Sequence, residues 1–121
     1  MASNNSMCVF LFSGDFDRMH QGLSLAGSGA DEGREVGVYF FRDALDRLIA
    51  DDLDAAMPGG LTLRQLLEAG RATTNLRLYA DRESLVLLDK DSSAVLGKVD
   101  ELLSLPSIFD RTSDITNRFC L

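Results

Sequence analysis

The chain has no tryptophan, two cysteines, two prolines and a single histidine among its 121 residues. Cys8 and Cys120 lack the close spacing of metal ligands, and His20 alone adds too little, so neither a metal site nor a structural disulfide is expected. Basic residues are also scarce: 12 Lys plus Arg stand against 19 Asp plus Glu, a formal net charge of -7. A surface of that sign repels phosphate backbones and anionic lipid, which argues against nucleic-acid and membrane partners. No apolar run approaches the roughly 20 residues that span a bilayer, and Met1 to Ser6 is polar with no basic stretch ahead of an apolar one. A cytoplasmic location is the resulting expectation.

What is present suits one soluble α/β domain. Hydrophobic residues make up 45% and charged residues 26% of the chain, enough for a core of modest size and too little chain for two. Residues 1–6 have little to bury and are expected to form a flexible tail ahead of a single domain over 7–121. The apolar run Met7 to Phe12 reads as a central strand covered on both faces, and Ser13-Gly14-Asp15 follows at its carboxyl end. Asp15 or Asp17 can cap the helix that comes next, with Phe16, Met19, Leu23, Ala26, Gly27 and Ala30 as its packing face and Gly33 as its stop. Val36 to Phe41 is the second strand. A right-handed crossover makes the two strands parallel neighbours, and the loops at their carboxyl ends form the rim where open α/β sheets hold ligands.

Beyond Phe41 the pattern alternates again. Ala44, Leu45, Leu48 and Ile49 mark a helix face, Pro58-Gly59-Gly60 breaks it, and Thr62 with Gln65 fits a capping box for a short helix ending near Gly70. Asn75 to Ala80 reads as a third strand with Leu76, Leu78 and Ala80 on one face and Arg77 and Tyr79 on the other. Asp81 to Leu88 is read as a turn into a short helix. Ser92 or Ser93 can start a helix with an apolar stripe Val95, Leu96, Val99, Leu102 and Leu103, ended by Pro106. A short helical turn between Ile108 and Ile115 and a terminal strand over Thr116 to Leu121 complete the expectation: a three-layer α/β/α sandwich with a mainly parallel sheet of four to five strands.

The Ser13-Gly14-Asp15 loop, the small-residue helix Asp17 to Gly33 and the strand Glu35 to Phe41 together resemble the DsrE/DsrF-like family of small sulfur-relay proteins. The likeness covers most of residues 7–121 and is strongest in Gly14-Asp15-Phe16-Asp17-Arg18 and the stretch Ala26 to Val36. The resemblance implies a flavodoxin-like parallel domain that assembles into homo-oligomers, trimers or hexamers, and exchanges sulfur with a carrier protein. Active members carry persulfide on a cysteine just after a later strand. The comparable place here is Tyr79-Ala80-Asp81-Arg82-Glu83-Ser84, with Asp81 aligned to that cysteine and Ser84 to a frequent serine. A carboxylate cannot carry sulfane sulfur as a thiolate does. The resemblance therefore implies a degenerate or accessory relay subunit, and the enzyme assignment stays open.

Each candidate residue also has a plain structural reading. Asp81 can be a helix cap. Cys120 can be a reactive thiol near the terminus or a small apolar residue buried in a strand; Cys8 is read as core. His20 can act as an acid or base near Ser13, or be solvated on its helix. Ser13, Gly14 and Asp15 can hold a small ligand together with Asp81 and Ser84, or form only a turn and a cap; Asp15 and Asp17 disfavour phosphate there, and no cofactor is expected. An outward Leu25 can mark a subunit contact. The alternative to a relay subunit is a non-catalytic module that binds a small molecule or a protein.

Overall fold

The computed structural model describes residues 5–121, in which five parallel strands form one sheet in the order β4-β3-β2-β1-β5. The strands are β1 (Met7–Leu11), β2 (Val36–Phe40), β3 (Leu76–Asp81), β4 (Glu101–Leu103) and β5 (Asn117–Cys120). Helices α1 (Phe16–Asp31), α2 (Arg42–Ile49), α3 (Leu63–Arg71), α4 (Arg82–Leu87) and α5 (Leu105–Thr112) connect them. Every ladder is parallel, with Val9 opposite Val38 on one side and Phe119 on the other. This is the expected α/β/α architecture. β1 is interior and fully buried, but the middle of the sheet is β2, because the terminal strand adds at the β1 edge.

The two faces of the sheet are covered unequally. The first three crossovers step one strand at a time toward β4, so right-handed connections place α1 to α4 on one face. Val9, Leu11, Val38, Phe40, Leu78 and Ala80 point there and pack with Met19, Leu45, Leu63, Leu67 and Leu85. Only the connection from β4 to β5 runs back across the sheet, and it places α5 alone on the opposite face. Cys8, Phe10, Tyr39, Tyr79 and Leu103 meet Ile108 of α5 there in a second, smaller cluster.

Local chemistry explains the element ends. The Asp15 carboxylate accepts from the Arg18 amide and starts α1, while Gly33, at φ +87°, lets the Gly33 and Arg34 amides reach the carbonyls of Ala30 and Gly29. Thr62 and Gln65 form a full capping box on α3. The buried face of α1 is Met19, Gly22, Leu23, Ala26, Gly29 and Ala30; Gly22 and Gly29, rather than Gly27, make the close approach to the sheet. Gly70 lies inside the last turn of α3, against Leu76, rather than beyond the helix end.

The helix expected between Ser92 and Pro106 is absent. A 3₁₀ turn over Ser92–Val95 is followed by loop and then by β4, whose Glu101–Leu103 pair with Tyr79–Asp81. The stripe of apolar residues at helical spacing is divided: Val95 packs on one face of the sheet and Leu103 on the other. Pro106 starts a helix instead of ending one. It occupies the first turn of α5, where a missing N–H costs no bond, and Ser104 caps that helix through the Ser107 amide. Residues 1–4 of the expected tail lie outside the described residues. Ser6 is buried, and its carbonyl accepts from Asn117 Nδ2.

Candidate functional site at the carboxyl edge

At β3 and β4 the chain leaves the sheet toward opposite faces, into α4 and α5, which opens a crevice at the carboxyl ends of adjacent strands. Open parallel sheets hold their ligands in this kind of place. A groove of about 400 Å³ lies there, lined on one side by Asp81, Glu83 and Leu87 and on the other by Leu105 and Phe109. Its floor is aromatic. Phe12 stacks on Phe41 with ring centroids 4.6 Å apart, and Phe10 lies 6.1 Å from Phe41. The row continues beneath α5 through Tyr39, 5.4 Å from Phe10, and Tyr79, 4.8 Å from Tyr39.

Asp81 is the last residue of β3 and the cap of α4. Its Oδ2 accepts from both the amide and the hydroxyl of Ser84, at 3.0 and 2.8 Å. Ser84 Oγ in turn accepts the Arg42 amide at 2.9 Å. That amide opens α2, whose cap position is held by Phe41 without a side-chain hydrogen bond, so Ser84 does the capping from a neighbouring helix. Asp81 is only 6% exposed, and its Oδ1 is buried with no hydrogen-bond partner among the described residues. A buried carboxylate oxygen without a donor is costly.

Two arginines and a thiol complete the groove. Arg42, at φ +45°, contributes a side chain with no ion pair among the described residues. Arg118 lies over the Phe10 ring at 5.5 Å and donates to the Thr112 carbonyl. Cys120 lines the same groove and is exposed at the end of the edge strand β5, which corrects its reading as a buried strand residue. Cys8, two positions before Phe10 on β1, is fully buried, and burial pushes its thiol pKa up.

Ser13, Gly14 and Asp15 lie on the same rim but do not line the groove. The Ser13 hydroxyl accepts the Asp15 amide, Asp15 caps α1, and the Gly14 carbonyl accepts from Arg47 at 2.8 Å. Gly14 sits so close to α2 that a Cβ would come within 2.8 Å of the Asp43 carbonyl oxygen. These contacts hold the loop against α1 and α2, and Gly14 nears Asp43, the neighbour of the Arg42 whose amide donates to Ser84 Oγ. His20 is away from the groove, on the outer side of α1 beside Phe16 and in a shallow depression with Leu25, which is itself exposed.

Of the sequence candidates, Asp81 and Cys120 line the groove and Ser84 is bonded behind Asp81; Phe10, Phe12, Phe41, Arg42, Phe109 and Arg118 line it as well and are not among those candidates. The signal for several of them was a period of two: Phe10 and Phe12, Tyr39 and Phe41, and Tyr79 and Asp81 each occupy alternate positions at the end of consecutive strands. Among the described residues no group of His, Cys, Asp and Glu could hold a metal ion, and no helix is long and apolar enough to cross a membrane. No protein-family profile matches the chain, and no curated protein matches it at a significant level.

Proposed function

We propose that this protein is a DsrE/DsrF-type accessory subunit of a sulfur relay, one that binds at the family's sulfur-carrying position without carrying sulfur there. The observation behind the reading is Asp81. It stands where β3 gives way to α4, the position aligned with the persulfide cysteine, and its carboxylate is engaged by Ser84. A carboxylate in that place can accept hydrogen bonds but cannot attack or release sulfane sulfur. The all-parallel five-stranded sheet is compatible with the resemblance.

The apolar side chains around the groove fit a protein partner or further copies of this chain, a trimer or hexamer on the family pattern. Phe12, Val86, Leu87 and Phe109 are all exposed near one rim. A cytoplasmic relay with a sulfur-carrier protein as partner belongs to the same proposal.

Intact mass after incubation with inorganic polysulfide tests it. The expected result is no sulfur adduct that survives desalting and passes to an acceptor thiol. A transferable sulfur atom abolished by Cys120→Ser would overturn the reading and make Cys120 the carrier. A second reading, a small-molecule-binding module, is favoured by the aromatic floor and the unpartnered Asp81 oxygen.

A further inference from the structure

The groove is amphipathic in a particular order. Asp81 and Glu83 bring two carboxylates to one side; Asp81 Oδ2 is taken by Ser84, and its Oδ1, buried and without a hydrogen-bond partner among the described residues, meets a ligand only if the side chain turns toward the groove. Two carboxylates favour a hydrogen-bond donor at that end, and a charged N–H donor makes the stronger bond to a carboxylate. The opposite requirement comes from Arg42 and Arg118, whose guanidinium groups border the same space. A ligand with only positive charge would be repelled by them, and one with only negative charge would be repelled by Asp81 and Glu83. Between these groups the floor and one wall are apolar, through Phe12, Phe41 and Phe109.

From these features we infer that the groove binds a small zwitterion with an aromatic or branched apolar body, of amino-acid size. Its ammonium sits between Asp81 and Glu83, its carboxylate faces Arg42, and its side chain lies on the stacked Phe12 and Phe41 rings. A volume of about 400 Å³ is at the small end of the range for small-molecule sites, roughly 300–1,000 Å³, and suits such a ligand. The two carboxylates and two guanidinium groups at the site balance, so a neutral zwitterion adds no net charge to it. The inference rests on the groove being a binding site and is independent of whether the chain takes part in sulfur relay.

Isothermal titration and amide-resolved NMR of the full chain test it with three probes that share one ring: L-phenylalanine, phenethylamine and hydrocinnamate. L-Phenylalanine is expected to bind saturably and to shift the amides of Arg42 and Ser84, phenethylamine to bind more weakly, and hydrocinnamate not to bind. Asp81→Asn should weaken L-phenylalanine at least about tenfold, ~1.4 kcal/mol. Phe109→Ser, at an exposed position where folding tolerates the change, should weaken it as well and decides the matter if Asp81→Asn does not fold. Equal binding of hydrocinnamate, or variants that bind like the parent chain, would overturn the inference. A chain that binds none of the probes and self-associates would overturn it in favour of a second copy over the groove. These outcomes read ligand binding alone and leave the polysulfide result to judge the relay proposal separately.

Discussion

Ser84 gives both its amide and its hydroxyl hydrogen to a single oxygen of Asp81, Oδ2, while its own oxygen receives the Arg42 amide. Three elements meet in that relationship: the end of β3, the first turn of α4 and the start of α2. Ser84 is 1% exposed, so water cannot substitute for it. Ser84→Ala leaves the Arg42 amide without its acceptor and takes one of two bonds from Asp81 Oδ2. Chemical denaturation should show a loss of about 1–3 kcal/mol, the usual cost of orphaning buried polar groups. A change within a few tenths would mean that the network contributes nothing to the edge.

Gly14→Ala tests whether the loop after β1 is a latch or a ligand loop. The added Cβ would lie 2.8 Å from the Asp43 backbone oxygen, which cannot move without shifting the start of α2. Overpacking of this kind costs about 1–3 kcal/mol, seen as a lower melting temperature. If Gly14→Ala keeps full stability and instead abolishes ligand binding, the loop belongs to the site after all.

The cysteines should separate cleanly by reactivity. Cys120 is exposed in the groove, whereas Cys8 is buried and its thiol pKa is raised by burial. One thiol per chain should react rapidly with a maleimide in the native protein, with the second appearing only on unfolding. Cys120→Ser should remove the rapid phase. A rapid phase that persists in this variant would place Cys8 at the surface.

Acid should loosen the loop between α2 and α3. Arg64 donates to Asp51 and Asp54, and these hydrogen bonds hold both carboxyl groups below the ordinary range. A depressed folded-state value contributes stability above the unfolded value, about 3.9 for Asp, and that contribution is lost as pH falls through the folded value. All three side chains are on the surface, so the effect is small and weakens with salt. Denaturation midpoints followed downward from neutral pH should decline less in Arg64→Gln than in the parent chain, with the difference confined to about pH 4 and below. Parallel curves would show that the cluster has no part in acid stability.

The fold was legible where one pattern ran uninterrupted. Met7 to Phe41 carries a strand buried on both sides, a capped helix and a second strand, and each signal agrees with the next. From Ser92 to Thr112 the local signals conflict with tertiary structure. Val95, Leu96, Val99, Leu102 and Leu103 keep a helical spacing, yet three of these residues lie where β4 and its approach must cross from one face to the other. Pro106 suits a helix start as well as a helix stop, and only the pairing of β4 with β3 decides between them. The groove was half legible. Asp81 and Ser84 stand three residues apart and are brought together by the family resemblance, whereas Phe109 and Arg118 reach the groove because α5 crosses the far face of the sheet and β5 joins the β1 edge.

On the proposed reading, Asp81 stands at the family's sulfur-carrying position and binds there in place of sulfur transfer. The most direct measurement is intact mass of the parent chain and of Asp81→Cys, both carrying Cys120→Ser, after exposure to inorganic polysulfide and desalting. One reductant-labile sulfur atom is expected on the Asp81→Cys chain and none on its Asp81 counterpart. Equal loading of both chains, or a folded Asp81→Cys chain that takes up no sulfur, would contradict it.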